Sequence, residues 1–420
     1  MANPLTKKIT AGSLITLFAV VGFAIHFAFE FSYGPIVTPD GLRDLFYADK
    51  LIEIGLNPFK FSETTTPFLN NFGYSVPPTN FLVYIYVLAG LHYFLEDQWI
   101  TGLLVVNVIA QTVTTVLLLL IVRDLTKNLL SIGIAGLFII TGFEFFQWIS
   151  MTQSDSLFLM TVTIIFYFLA RYSIQTESSR RRRNLTLAVG LALGSLLVRP
   201  SGMAIVAAFI AILALVFLTR NCSDRVTVRW FLLIFVSAAL IVFGALALHG
   251  NFLHNPEMLS DGVLRSRIEY LKQTFDLGWV VWARPETFVD PPSSPFEYTE
   301  LSLRRLYYFF WFIGDTYSYE HKMMNILYFP PFYGLVLVGV FLTITPVSAI
   351  PTSSRRMAMF ALFLIFAINS LHAATILDYD WRFRAPALPG FVILFSIGLR
   401  YFLWRIKALR PLMTKLDITH

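Results

Sequence analysis

Eleven long apolar runs, separated by short polar stretches that are often basic, constrain this chain more than any other feature. They fall near residues 10–31, 79–95, 100–122, 129–147, 156–172, 184–199, 202–219, 230–248, 327–346, 357–377 and 385–404. A helix crossing a hydrocarbon core of about 30 Å needs roughly 20 such residues. Hydrophobic residues make up 56% of the chain and charged ones 14%, more apolar surface than a soluble fold of this length can bury. The expected class is an all-α polytopic membrane protein, a single integral membrane domain over 1–420. Lys7 and Lys8 precede a first run too long for a signal peptide and without a small-x-small cleavage site, as in an uncleaved anchor.

The basic residues set orientation. If all eleven runs cross from an inner N-terminus, Arg123/Lys127, Arg180–Arg183, Arg220/Arg225/Arg229, Arg355/Arg356 and the tail from Arg405 all land outside. That breaks the positive-inside rule five times. Laying the second run, TNFLVYIYVLAGLHYFL, along the outer surface repairs every violation and leaves about ten transmembrane helices. The outer face then gathers two large loops, 32–99 with juxtamembrane helices and 249–326, the latter with an amphipathic stretch, MLSDGVLRSRIEYLKQTF. The pI near 9.3 thus reflects topology, with no nucleic-acid partner implied. The lone Cys222 excludes an internal disulfide and a Cys-based metal site.

Three clusters on that outer face carry chemistry. In TPDGLRDLFYADKLIEIGLNPF, Asp40 and Asp44 share one face of a short helix ending near Ile54, with Gly55 as its C-terminal stop. The plain alternative for Asp40 is a helix cap. Arg199 follows Arg183 by 15 uncharged residues, about 22 Å of helix, so it sits below the outer headgroups, where charge is costly and usually functional. Its plain alternative is an ion pair with Glu144 or Asp155 that fixes helix packing. In DYDWRFRAP, Asp378, Asp380, Arg382 and Arg384 stand at the mouth of the last span, where Arg forks suit phosphate and where Trp381 and Phe383 suit an interfacial belt.

With these residues the chain resembles the GT-C class of membrane glycosyltransferases, which includes protein O-mannosyltransferases and aminoarabinose transferases. Asp40, Ala48 and Gly55 fall at the offsets of that class's first-loop motif. YSVPPTNF with Tyr74, TQSDSLFLM with Asp155, and RFRAPALP resemble its later signatures. Gly41 stands where many members carry a second acid, and Asp44 where they usually carry Tyr. The resemblance implies a sugar donor on a polyprenyl phosphate, transfer with inversion to a lipid, glycan or protein acceptor, and Asp40 as general base. Asp44 and Asp155 would support the base or bind substrate, with Tyr74 and Asp380 also near it. Arg199, Arg382 and Arg384 would hold the donor phosphate. No His- or Cys-based metal site is indicated, and a carboxylate-bound divalent cation is allowed without being required.

The resemblance also implies an active site on the outer side of the cell membrane, or in the lumen of the endoplasmic reticulum in a eukaryote. Three other classes compete, one of them a non-catalytic assembly or scaffold protein. A polysaccharide polymerase or ligase using polyprenyl-linked glycans would rely on Arg265, Arg267 and His254 of the long loop. A secondary transporter would carry ionisable groups near mid-span.

Overall fold

The computed structural model describes residues 10–57, 60, 81–219, 223–254, 280–283, 287–289, 294–314, 317–345, 350–375 and 381–417. Tyr74, Asp380, Arg265, Arg267, Cys222 and the amphipathic stretch after His254 lie outside them, as do the side chains of Arg382 and His254. The described chain is helical apart from a two-stranded antiparallel ribbon, β1 (Val280–Ala283) with β2 (Thr287–Val289).

The helices are α1 (Ala11–Tyr33), α2 (Pro39–Glu53), α3 (Leu82–Leu95), α4 (Trp99–Thr126), α5 (Leu129–Thr141), α6 (Asp155–Ile174) and α7 (Ser178–Gly194). They continue as α8 (Gly202–Leu218), α9 (Asp224–His254), α10 (Pro295–Tyr308), α11 (Tyr319–Ile344), α12 (Thr352–Thr375), α13 (Leu388–Arg405) and α14 (Arg410–Leu416). Among the described residues, six stretches are long and apolar enough to cross a membrane: Ala11–Ser32, Leu82–Thr126, Asp155–Ile174, Tyr319–Ile344, Thr352–Ala373 and Arg384–Arg405. The protein is therefore a helical, multi-pass membrane protein. The expectation of ten spans is met only in part: α5 and α8 are apolar but shorter, and α7 and α9 are not among the six.

The second apolar run behaves unlike its neighbours. α3 has 14 residues, about 21 Å, and α5 with 13 is no longer, so what sets α3 apart is how it ends and what it packs on. Glu96 breaks it in the left-handed region, at φ +46°. The chain then folds back so that Gly102 on α4 lies against Leu91 and Leu95. α3 serves as a bed for α2, whose Tyr47, Ala48 and Leu51 are buried with Tyr84, Ile85 and Leu88 in one apolar cluster. Asp49 to His92 Nδ1 at 2.7 Å and Tyr86 hydroxyl to the Leu56 carbonyl at 2.9 Å fasten the two helices along their edges.

Contacts between helix ends sort the bundle into two poles. At one pole Arg171 meets Asp124 at 3.5 Å, Arg400 donates to the Leu125 carbonyl, and Asn128 donates to Asp417. Arg180–Arg183 and Arg355–Arg356 lie there too, at the starts of α7 and α12. At the other pole lie the start of α2, Asp155, Arg199 and Arg384 together with Ser201, which meets His372. Close backbone packing supports this order. A Cβ at Gly339 would strike the Leu394 carbonyl, and one at Gly398 the Leu335 carbonyl, so glycine alone lets α11 and α13 touch.

Candidate functional site

The acid-bearing pole is built around the segment between α5 and α6. Its backbone pairs with the chain entering α2: Ile36 N–H donates to the Ser150 carbonyl at 2.7 Å, and Thr152 N–H to the Ile36 carbonyl at 3.2 Å. From the other side, Asn107 of α4 donates to the Ile149 carbonyl at 2.9 Å. The Thr38 amide donates to the Thr152 hydroxyl at 3.1 Å. The start of α2 is thus stitched to a fixed loop.

Thr38 also caps α2, its hydroxyl accepting from the Gly41 amide at 3.0 Å, with Pro39 at the first helical position. This removes the capping role from Asp40, which stands in the first turn with 46% of its side chain exposed. Gly41 has a steric reason. Any Cβ there would overlap the side chain and carbonyl of Thr152, so a second acid cannot occupy this position. The expected end of α2 also holds, with Ile54 as C-cap and Gly55 at φ +69°.

Arg43, which the spacing argument overlooked, joins the two acids. Its Nη1 meets Asp40 Oδ1 at 3.1 Å, while Nε and Nη2 meet Asp44 Oδ1 at 2.8 and 2.7 Å. The guanidinium lies over the Phe81 ring, 4.5 Å from its centroid. Asp44 is almost fully enclosed, and burial pushes its carboxyl up to about 6, against the opposing pull of Arg43. The two acids therefore differ in kind: one open to solvent, the other interior.

Deeper in, Asp155 opens α6 and pairs with Arg199, which stands just past the turn that ends the α7 segment. The packing alternative for Arg199 is thus realised with Asp155. The pair is not saturated, since Asp155 Oδ2 is buried without a hydrogen-bond partner among the described residues. Tyr84, fully buried on α3, also keeps its hydroxyl unbonded among the described residues and lies within electrostatic reach of Asp44, Asp155 and Arg43. Asp44 in turn feels Arg199. Asp40, Arg43, Asp44, Tyr84, Asp155 and Arg199 therefore form one polar chain from the surface inward. Its two unbonded oxygens can serve a ligand rich in hydroxyl groups.

Arg384 does not belong to that chain. Its Nε and Nη2 close on Glu144, and its Nη1 donates to the Phe309 carbonyl at 3.1 Å, the Trp311 carbonyl at 3.0 Å and the Tyr333 hydroxyl at 2.8 Å. Only 1% of the residue is exposed. A phosphate would have to displace these partners, so the expected phosphate role of Arg384 gives way to a buried structural one. Arg382 lies on the same short turn, Trp381–Ala387. Among the described residues, no group of three or more His, Cys, Asp or Glu could hold a metal ion.

Comparison of the chain with protein-family models, with curated proteins and with solved structures finds no match in any of the three.

Proposed function

We propose that this protein is a membrane glycosyltransferase of the GT-C kind, moving a sugar from a polyprenyl-phosphate donor to an acceptor with inversion. The observation that carries the reading is the polar chain from exposed Asp40 to the buried Asp155–Arg199 pair, set at the pole opposite the basic clusters. In this reading the ten helices α1, α4 to α9 and α11 to α13 all cross, and α2, α3 and α10 rest on the outer surface. The basic pole is then inner, as the positive-inside rule requires.

Asp40 accepts the proton of the acceptor hydroxyl as the new bond to the anomeric carbon forms. A positioned carboxylate contributes about 100- to 10,000-fold to such a step. Arg43 holds that carboxylate in place and links it to Asp44. Arg199, still partly open on a buried carboxylate, and Arg382 serve the departing phosphate, whose charge grows as the glycosidic bond breaks. Tyr84 and the free oxygen of Asp155 bond sugar hydroxyls.

Mass spectrometry of lipid-linked sugars and envelope glycans in cells lacking the protein tests the reading. Accumulation of one polyprenyl-phosphate sugar with loss of one glycan substituent supports it. Unchanged lipid-linked sugars together with a lost solute uptake would replace it with transport.

A further inference from the structure

The basic pole contains a cavity that the proposed reaction does not use. It has a volume of about 260 Å3 and lies among α6, α7, α8 and α12. Its rim carries Ser173, Arg181, Ser353 and Arg356, and its floor is apolar, with Leu185, Val216 and Phe360. Phe217, next to Val216 in α8, is 82% exposed and gives that helix an apolar outer surface.

The rim arginines differ from their neighbours. Arg171 and Arg180 pair with Asp124 and Glu177. Arg181 lies over the Tyr172 ring at 4.6 Å, and Arg356 keeps a buried Nε without a hydrogen-bond partner among the described residues. Neither rim arginine meets a carboxylate among the described residues. α12, a helix of 24 residues, also begins at this rim, and its first turn holds no acid to offset the positive end of its dipole. Two cationic forks and a helix start thus converge above an apolar floor, with no anion supplied by the described protein.

We propose that this cavity binds the phosphate headgroup of an anionic phospholipid from the surrounding bilayer, with an acyl chain along the Leu185–Val216 floor. Basic pockets between membrane helices suit such headgroups, and each arginine contributes roughly a factor of five in affinity. The phosphate fits between Arg181 and Arg356, and the Ser353 hydroxyl donates to one of its remaining oxygens. The chain of the lipid distinguishes this ligand from a free anion, which gains nothing from the floor.

The test uses delipidated full-length protein in detergent, with phosphatidylglycerol, phosphatidylcholine or inorganic phosphate added. Native mass spectrometry counts retained lipid, and thermal unfolding reads stabilisation. Phosphatidylglycerol should be retained and raise the midpoint, while phosphatidylcholine and inorganic phosphate do neither. Arg181→Gln/Arg356→Gln should retain it roughly 30-fold more weakly, whereas exposed Arg182→Gln, outside the cavity, should bind as wild type. Should the double variant not fold, Ser353→Glu places a competing anion at the rim and must weaken retention likewise. Equal retention of both phospholipids, wild-type retention by the rim variants, or a full shift from inorganic phosphate alone would overturn the proposal.

Discussion

Replacing Arg384 separates a structural role from a phosphate-binding one. The wild-type side chain uses both Nη groups and Nε, closes on Glu144, and lies 4.9 Å from the Phe329 ring centroid. Arg384→Met removes the cation and leaves the buried Glu144 carboxylate without this ion pair. Breaking a buried pair in this way costs about 3–5 kcal/mol, against a total stability for proteins of about 5–15 kcal/mol. Two carbonyls and the Tyr333 hydroxyl also lose their donor, which adds to the cost. Glu144→Gln/Arg384→Met removes both charges and should recover part of the loss, as contacting residues commonly couple by about 0.5–3 kcal/mol. Detergent-solubilised proteins often unfold irreversibly, so the assay is inactivation half-life at fixed temperature alongside the apparent midpoint. The single variant should lose stability sharply, and the double variant less. An Arg384→Met protein as stable as wild type, but with weakened donor binding, would refute this reasoning and return Arg384 to the phosphate.

Gly41→Ala should destabilise by about 1–3 kcal/mol, because its Cβ must displace Thr152 and the strand-like pairing behind it; unchanged thermal stability would mean that this approach is looser than described. For Asp44, the native carboxyl holds its proton up to about 6 while the unfolded one releases it near the usual 3.8. Stability should therefore fall as pH rises between those values, by on the order of 3 kcal/mol, and Asp44→Asn should flatten that part of the profile. A stability rising with pH across this window, and doing so equally in the variant, would assign the effect elsewhere. In a Cys222→Ser background, Asp97→Cys should react with an impermeant thiol reagent added outside and Ser179→Cys should not. Labelling of both sites from outside would contradict the orientation.

Much of the frame was legible because it is local. Apolar runs marked the helices, and basic clusters marked one pole. The stop at Gly55 followed from its tolerance of positive φ. The site was legible only in outline, because its partners are set by contacts distant in sequence. Glu144 and Arg384 lie 240 residues apart, and nothing near Arg384 distinguishes a phosphate ligand from the partner of a buried acid. The reason for Gly41 lies in Thr152, across a backbone pairing with no local signature. Arg43 offered a weak signal, standing between two acids one helical turn apart, where their mutual repulsion calls for a cation. The α2 face that turns inward carries Arg43, Asp44 and Tyr47 while Leu42 is exposed, an arrangement hydrophobicity alone would reverse.

The central claim is that Asp40 acts as the general base, and its Asn variant tests it most directly. Thr38 provides the helix cap and Asp40 is half exposed, so Asp40→Asn should cost at most about 1 kcal/mol of stability. The measurement is single-turnover sugar transfer from the polyprenyl-phosphate donor, with donor binding measured on the same preparation. The expected outcome is a folded protein that binds donor and transfers about 100- to 10,000-fold more slowly. Near-normal transfer by that protein would contradict it, and Asp44→Asn would then be the variant expected to show the loss.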